Sequence, residues 1–310
     1  YFAVLEYDDA LNAYRNAFVE MADADIEWVK LAESLDKREV FNHAIECYLA
    51  AVEIKPDNYE LWLKLGSGYF KINKYDEALK ALNRSLELNS ENADTYYQLG
   101  VVYSKTEGFE AAMGYYEKAL HLNPNDARLW TKVAIELNKK GNFDSAIDYL
   151  EKALELSQDE PLIFHNLGES YTGKREMEKA ILMYEKALSL DDKDPEIWKG
   201  IGKAYKVSGN YNKFTEAFEK SIEINPLDKE VWLALGIEKS RKKEYVQSVA
   251  CIQKAIDIKP DYFEAWYNLG RAHRRKKMND KANTAYERAL TFKPDDIIPQ
   301  IVRAKVLEML

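Results

Sequence analysis

The sequence predicts an all-α fold built as an array of antiparallel helix pairs, and three observations carry that prediction. The six tryptophans stand at 28, 62, 130, 198, 232 and 266, so the gaps between them are all multiples of 34 residues. Written out at that period from Asp25, the chain fills residues 25–296 with eight units and no insertion or deletion. Within a unit, apolar and small residues recur at positions 4, 7, 8 and 11, the spacing of one helix face, and again at 20, 24 and 27.

The units run 25–58, 59–92, 93–126, 127–160, 161–194, 195–228, 229–262 and 263–296. In the second, Trp62, Leu65, Gly66 and Tyr69 mark the first helix. In the third, Ala112, Tyr116 and Ala119 mark the second helix, after a turn near Gly108; Gly141 and Gly209 stand at the corresponding turn in two other units. Small residues at 8, 20 and 27 let the two helices approach, while larger ones at 4, 11 and 24 fill the space between. Proline ends the second helix at Pro56, Pro124, Pro226, Pro260 and Pro294, and Asn58, Asn92, Asp126, Asp194 and Asp228 offer N-caps to the next. One hairpin cannot bury its own apolar face, so stability must come from stacking on neighbours. Residues 1–24 place Tyr7, Ala10, Tyr14 and Ala17 where positions 17, 20, 24 and 27 of a preceding unit belong, and read as the second helix of a partial repeat. Residues 297–310 place Ala304 and Leu307 at positions 8 and 11, and read as a capping helix or as the first helix of a further repeat. Both ends fall inside the pattern, so the chain reads as an excerpt of a longer array.

W-x2-L-G-x2-Y followed by A-x3-Y/F, A and P at this spacing resembles the tetratricopeptide repeat. WLKLGSGY at 62–69 and YYQLGVVY at 96–103 carry the resemblance most closely. It implies a right-handed superhelical α-solenoid whose first helices line a concave groove that holds peptides or other proteins.

Composition narrows the function classes. Hydrophobic residues make up 46% of the 310 and charged residues 31%, a mixture that folds. Two cysteines, Cys47 and Cys251, do not make a disulfide framework and fit a reducing compartment, so the expected location is cytoplasmic. No apolar run reaches the ~20 residues of a membrane span, and the opening YFAVLEYDD lacks a basic segment before its apolar residues. The four histidines, His43, His121, His165 and His273, fall in different units and on different faces, with no metal-ligand spacing. Gly200-Ile201-Gly202 lies inside a predicted helix with no strand before it, so it does not read as a dinucleotide loop. Asn83-Arg84-Ser85 is a nominal glycosylation acceptor, but it falls mid-helix. The reading is therefore no enzyme, no cofactor and no metal.

The resemblance assigns the concave wall to positions 2, 5, 9, 12 and 13 of each first helix. In early and middle units these are mixed and often apolar: Val29, Leu63, Phe70, Tyr97, Val101 and Ile135. Later they turn cationic, with Lys199, Lys203 and Lys206 in the sixth unit, Arg241 in the seventh, and Arg271, Arg274 and Arg275 in the eighth; Leu233 and Tyr267 are the apolar contacts beside them. From Pro195 onward 22 Lys+Arg stand against 16 Asp+Glu, a net of +6, whereas residues 1–194 carry 22 against 37, a net of −15. Units six to eight also depart from the family pattern: Lys239 and His273 replace the tyrosine of position 11, and Phe214 and Ser248 the alanine of position 20. The carboxylate clamp of chaperone-binding repeats is not reproduced, because Lys203 and Ala234 stand where it needs asparagine. The asparagine ladder of the sugar-transferase arrays survives only at Asn166 and Asn268. The expected partner is a protein or peptide bearing acidic or phosphorylated residues, and the open ends of an array offer surfaces for self-association. A second reading makes the array the regulatory or substrate-recruiting arm of a larger multidomain enzyme. Nucleic acid is the weakest reading, since the net charge is −9 and the basic end lacks repeated stacking aromatics.

Overall fold

The computed structural model describes Tyr14 and residues 23–292, so the expectations for most of residues 1–22 and for the segment after Phe292 lie outside the described residues. The described residues form sixteen helices and no strand. In chain order these are α1 Ala24–Lys37, α2 Phe41–Ile54, α3 Tyr59–Lys71, α4 Tyr75–Leu88, α5 Ala93–Thr106, α6 Phe109–Leu122, α7 Ala127–Lys139 and α8 Phe143–Leu156, then α9 Pro161–Gly173, α10 Met177–Leu190, α11 Pro195–Val207, α12 Tyr211–Ile224, α13 Lys229–Arg241, α14 Tyr245–Ile258, α15 Phe263–Arg275 and α16 Asn279–Thr291. The chain divides into two compact units, residues 1–140 and 141–310. The first holds three helix pairs followed by α7; the second opens with α8 and continues with four pairs. Within each unit a pair packs tightly on itself, and its first helix rests on the second helix of the pair before.

Capping chemistry starts the first helices. Asn58, Asn92, Asp126, Asp194 and Asp228 each accept backbone N–H bonds from the turn they open, such as Glu60 to Asn58 at 2.9 Å and Thr95 to Asn92 at 2.7 Å. The tryptophans of position 4 do something the sequence spacing does not reveal. Trp62, Trp130, Trp198, Trp232 and Trp266 donate their indole N–H to the carbonyls of Pro56, Pro124, Asp192, Pro226 and Pro260, at 2.7–2.9 Å. Each clasps the loop that enters its own helix.

Small-to-large complementarity closes the pairs. A Cβ placed on Gly100, Gly168 or Gly270 at position 8 would come within 2.4–2.8 Å of the ring of Tyr116, Tyr184 or Tyr286 at position 24. The expected buried stripe of 4, 7, 8 and 11 is corrected at two points. Position 3 (Leu61, Thr95, Leu129, Ile163, Ile197, Val231, Ala265) and position 10 (Gly68, Val102, Ser170, Ala204, Glu238, Ala272) are buried, while the clasping tryptophans after Trp28 are only half-buried. A first helix packed against two second helices hides a wider arc than one amphipathic stripe.

Candidate functional site

In the first unit the apolar candidates share their surface with the core. Leu63 and Phe70 are half-buried and pack on Ala78, Leu82, Leu99 and Val102, and the Phe70 ring lies 5.8 Å from that of Tyr75. Tyr97 is half-buried, its ring 5.8 Å from Tyr116 and 5.3 Å from the Lys132 ammonium. Burial first, then the carboxylates of Glu136 and Asp94, push its phenol well above the usual tyrosine range. Val29 packs on the cluster around Trp28, and Val101 and Ile135 are half-buried.

In the second unit the cationic candidates separate into two classes. Lys199 is no free cation: its side chain is 13% exposed, and its ammonium lies 2.8 Å from Asp228, 3.4 Å from Glu230 and 3.7 Å from Glu196. Burial is the largest single influence on both Lys199 and Asp228 and opposes their charge. Their mutual hydrogen bond and attraction, joined by Glu196 and Glu230 at the lysine and by the Glu230 and Val231 backbone N–H groups at the carboxylate, together outweigh it, so the lysine pKa rises and the carboxyl pKa falls. Arg241 grips the buried Glu238 through Nε and Nη2 at 2.7–3.1 Å, with its guanidinium 3.9 Å from the centre of the Tyr211 ring. Lys239 pairs with Glu219 at 3.4 Å. Leu233, expected on the wall, is core instead: it is 6% exposed in a cluster with Ile252, Ile256 and Leu269.

The second class faces solvent without a carboxylate partner among the described residues. Lys203 and Lys206 are exposed, the latter 5.6 Å from the Phe214 ring. Arg271, Arg274 and Arg275 are also exposed. The structure brings Arg271 and Arg275 onto one cleft, with Ile237, Ser240, Ile252 and Asn268, whereas Arg274 is not among its lining residues. Arg275 donates to the carbonyl and Oγ of Ser240, at 3.2 and 3.1 Å, and Arg271 donates to Asn268 Oδ1 at 3.3 Å. Arg271 also lies 5.8 Å from the Tyr267 ring. Ser240, Ile237 and Asn268 are additions to the candidates read from sequence. Ser240 and Ile237 stand at positions 12 and 9 of that same stripe, so the signal was present but carried no charge.

The departures from pattern resolve differently. Ser248 is satisfied internally, donating to the Gly236 carbonyl at 2.7 Å, and Phe214 is buried against Phe218 at 4.5 Å. His273 stays half-buried with Nδ1 unpartnered, and burial, then Lys281 and Lys276, lower its pKa. Cys47 and Cys251 are buried and form no disulfide, and burial pushes the Cys251 thiol up. Among the described residues no group of three or more His, Cys, Asp or Glu could hold a metal ion, and no helix is long and apolar enough to cross a membrane.

The family model for the cilia and flagella-associated protein 70 C-terminal domain matches residues 1–162. Tetratricopeptide-repeat models match residues 163–196, 195–226, 229–262 and 263–296. No curated protein sequence matches significantly. Among solved structures, the chain is similar to one in the APC/C hetero-tetramer Cut9–Hcn1, at 17% identity and a TM-score of 0.62, over 93% of this chain and 55% of that one. It is also similar to an IFIT1 monomeric mutant with Gppp-AAAA (18%, TM-score 0.61, 88% and 72%) and to pilF of Pseudomonas aeruginosa (19%, TM-score 0.56, 67% and 94%). The chain thus spans just over half the length of the first, and these likenesses are of fold.

Proposed function

The chain belongs to the family of the cilia and flagella-associated protein 70 C-terminal domain, a tetratricopeptide-repeat family, and on that premise we propose that it is a protein-interaction scaffold. Each unit contributes its own surface. In the first, the half-buried Leu63, Phe70, Tyr97, Val101 and Ile135 offer apolar contact to an extended partner segment. In the second, Lys203, Lys206, Arg271, Arg274 and Arg275 favour acidic or phosphorylated residues. The carrying observation is the division of the second unit's cations. Lys199, Lys239 and Arg241 are already neutralised by carboxylates, whereas five others stand exposed without one among the described residues. A charge left uncompensated on a surface costs the fold little and is available to a partner. The family name ties its members to cilia and flagella, so the partner is sought among ciliary and flagellar proteins.

The test is affinity capture from a ciliary extract with the native chain and with the triple variant Arg271→Glu, Arg274→Glu, Arg275→Glu. Because the three side chains are exposed, helicity by circular dichroism stays unchanged, while partner capture falls roughly tenfold or more. Equal capture by both proteins removes the basic surface from the reading.

A further inference from the structure

We propose that the cleft between α13 and α15 is a receptor for a phosphorylated serine or threonine side chain of a partner protein. The inference rests on the reading of the second unit as an anion-accepting surface, and it names the anion.

Two like charges stand together on α15 without a carboxylate between them. Arg271 and Arg275 sit one turn apart on the same face of α15, a spacing at which like charges repel. No carboxylate among the described residues relieves them; the negative end of the helix and two neutral partners, Asn268 and Ser240, do so only in part. Those same partners fix the geometry. Ser240 tethers Arg275 from the preceding repeat and Asn268 steadies Arg271, leaving most of the N–H donors of both guanidinium forks unused.

The donor set suits a phosphoryl group better than a carboxylate. Two forks and the Ser240 hydroxyl can meet three terminal oxygens bearing about two charges at neutral pH, whereas a carboxylate offers two oxygens and one charge. Ile237, 39% exposed, supplies apolar lining beside the Cβ or methyl group that carries the phosphate, while the fully buried Ile252 floors the cleft from the core.

A phosphorylated side chain fits better than a nucleic acid. Sequence-tolerant strand binding needs free aromatic faces on which successive bases stack. The ring beside Arg271, that of Tyr267, already stacks on Phe263 at 6.2 Å and carries the Arg271 guanidinium at 5.8 Å. The net charge of −9 further disfavours a long polyanion.

The experiment presents the intact chain with bead-bound degenerate peptide libraries centred on phosphoserine, serine or glutamate, and with a single-stranded RNA oligonucleotide. The phosphoserine library retains the chain about tenfold better than the glutamate library, and inorganic phosphate releases it. Arg271→Ala and Arg275→Ala each weaken retention roughly tenfold, Arg275→Lys does so less, and Lys254→Ala, an exposed lysine of α14 outside the proposed surface, leaves it unchanged. Equal retention by the phosphoserine and serine libraries, or retention indifferent to Arg271→Ala, overturns the proposal. If glutamate is held as well as phosphoserine and both are lost in the arginine variants, the phosphate inference falls while the acidic-partner reading stands. If no library is held, both fall for this cleft, and Arg271-dependent capture of the RNA alone replaces them. Phosphate competition on the native chain keeps the test decisive even if a variant folds poorly.

Discussion

Each turn from first to second helix places one residue in the left-handed region. In seven repeats it is position 15, with φ between 60° and 82°; in the third it is Gly108, one residue later, because α5 runs one residue longer. The next N–H then reaches back to the carbonyl of position 11, as Lys74 does to Tyr69 at 3.0 Å and Glu244 to Lys239 at 2.8 Å. Glycine carries this conformation without penalty at Gly209, whereas Lys243 carries it against the steric preference of its Cβ. Gly209→Ala meets no atom within 4 Å, so its cost is purely conformational: about 1 kcal/mol in denaturant unfolding, read as a lowered midpoint at an unchanged slope. Lys243→Gly shifts the midpoint the other way. The positions of Gly108, Gly141 and Gly209 made this turn legible, but nothing in the letters of Glu39, Arg175 or Lys277 announces a positive φ; the repeat register alone imposes it.

Among elements, the loops between repeats differ in how firmly they are held. Three devices recur: a proline at position 32, a side-chain N-cap, and an indole bonded to the position-32 carbonyl. The loop from Pro226 to Asp228 has all three, so Trp232→Phe removes one bond from an otherwise intact joint and costs about 1 kcal/mol, measurable as a lowered unfolding midpoint. The periodicity of tryptophan was plain in the sequence, yet its purpose was not, because the acceptor is a backbone carbonyl and leaves no letter. The candidate surface was legible to a similar depth. The cationic stripe was read directly, but the carboxylates that disarm Lys199 and Lys239 come from 29 and 20 residues away, and only packing shows that they meet. Leu233 failed as a surface residue for the same reason, since its burial is set by helices of two repeats.

At the scale of the whole molecule, an array whose repeats touch mainly their neighbours is as strong as its individual joints. Among the described joints, Ser157–Glu160 lacks all three devices: Gln158 replaces the proline, Glu160 makes no side-chain cap, and Phe164 has no side-chain N–H to donate. Beside it lies an open cleft lined by Glu151, Leu154, Glu155, Gln158, Asp159, Phe164 and Lys186. In native-state hydrogen exchange under mild denaturant, the amides of α8 and α9 flanking this loop therefore lose protection before those of α12 and α13, which flank Pro226. Simultaneous loss of protection in both places would show that the joints do not govern local opening.

The indole clasps also equip the protein with its own local reporters. Five emitters stand one to a junction, each with its nitrogen tied to the backbone of the linker before it, so opening a junction frees that indole to water and reddens its light. Variants that keep a single tryptophan would let fluorescence follow the melting of the array joint by joint, with the junctions at Tyr96 and Phe164 remaining dark.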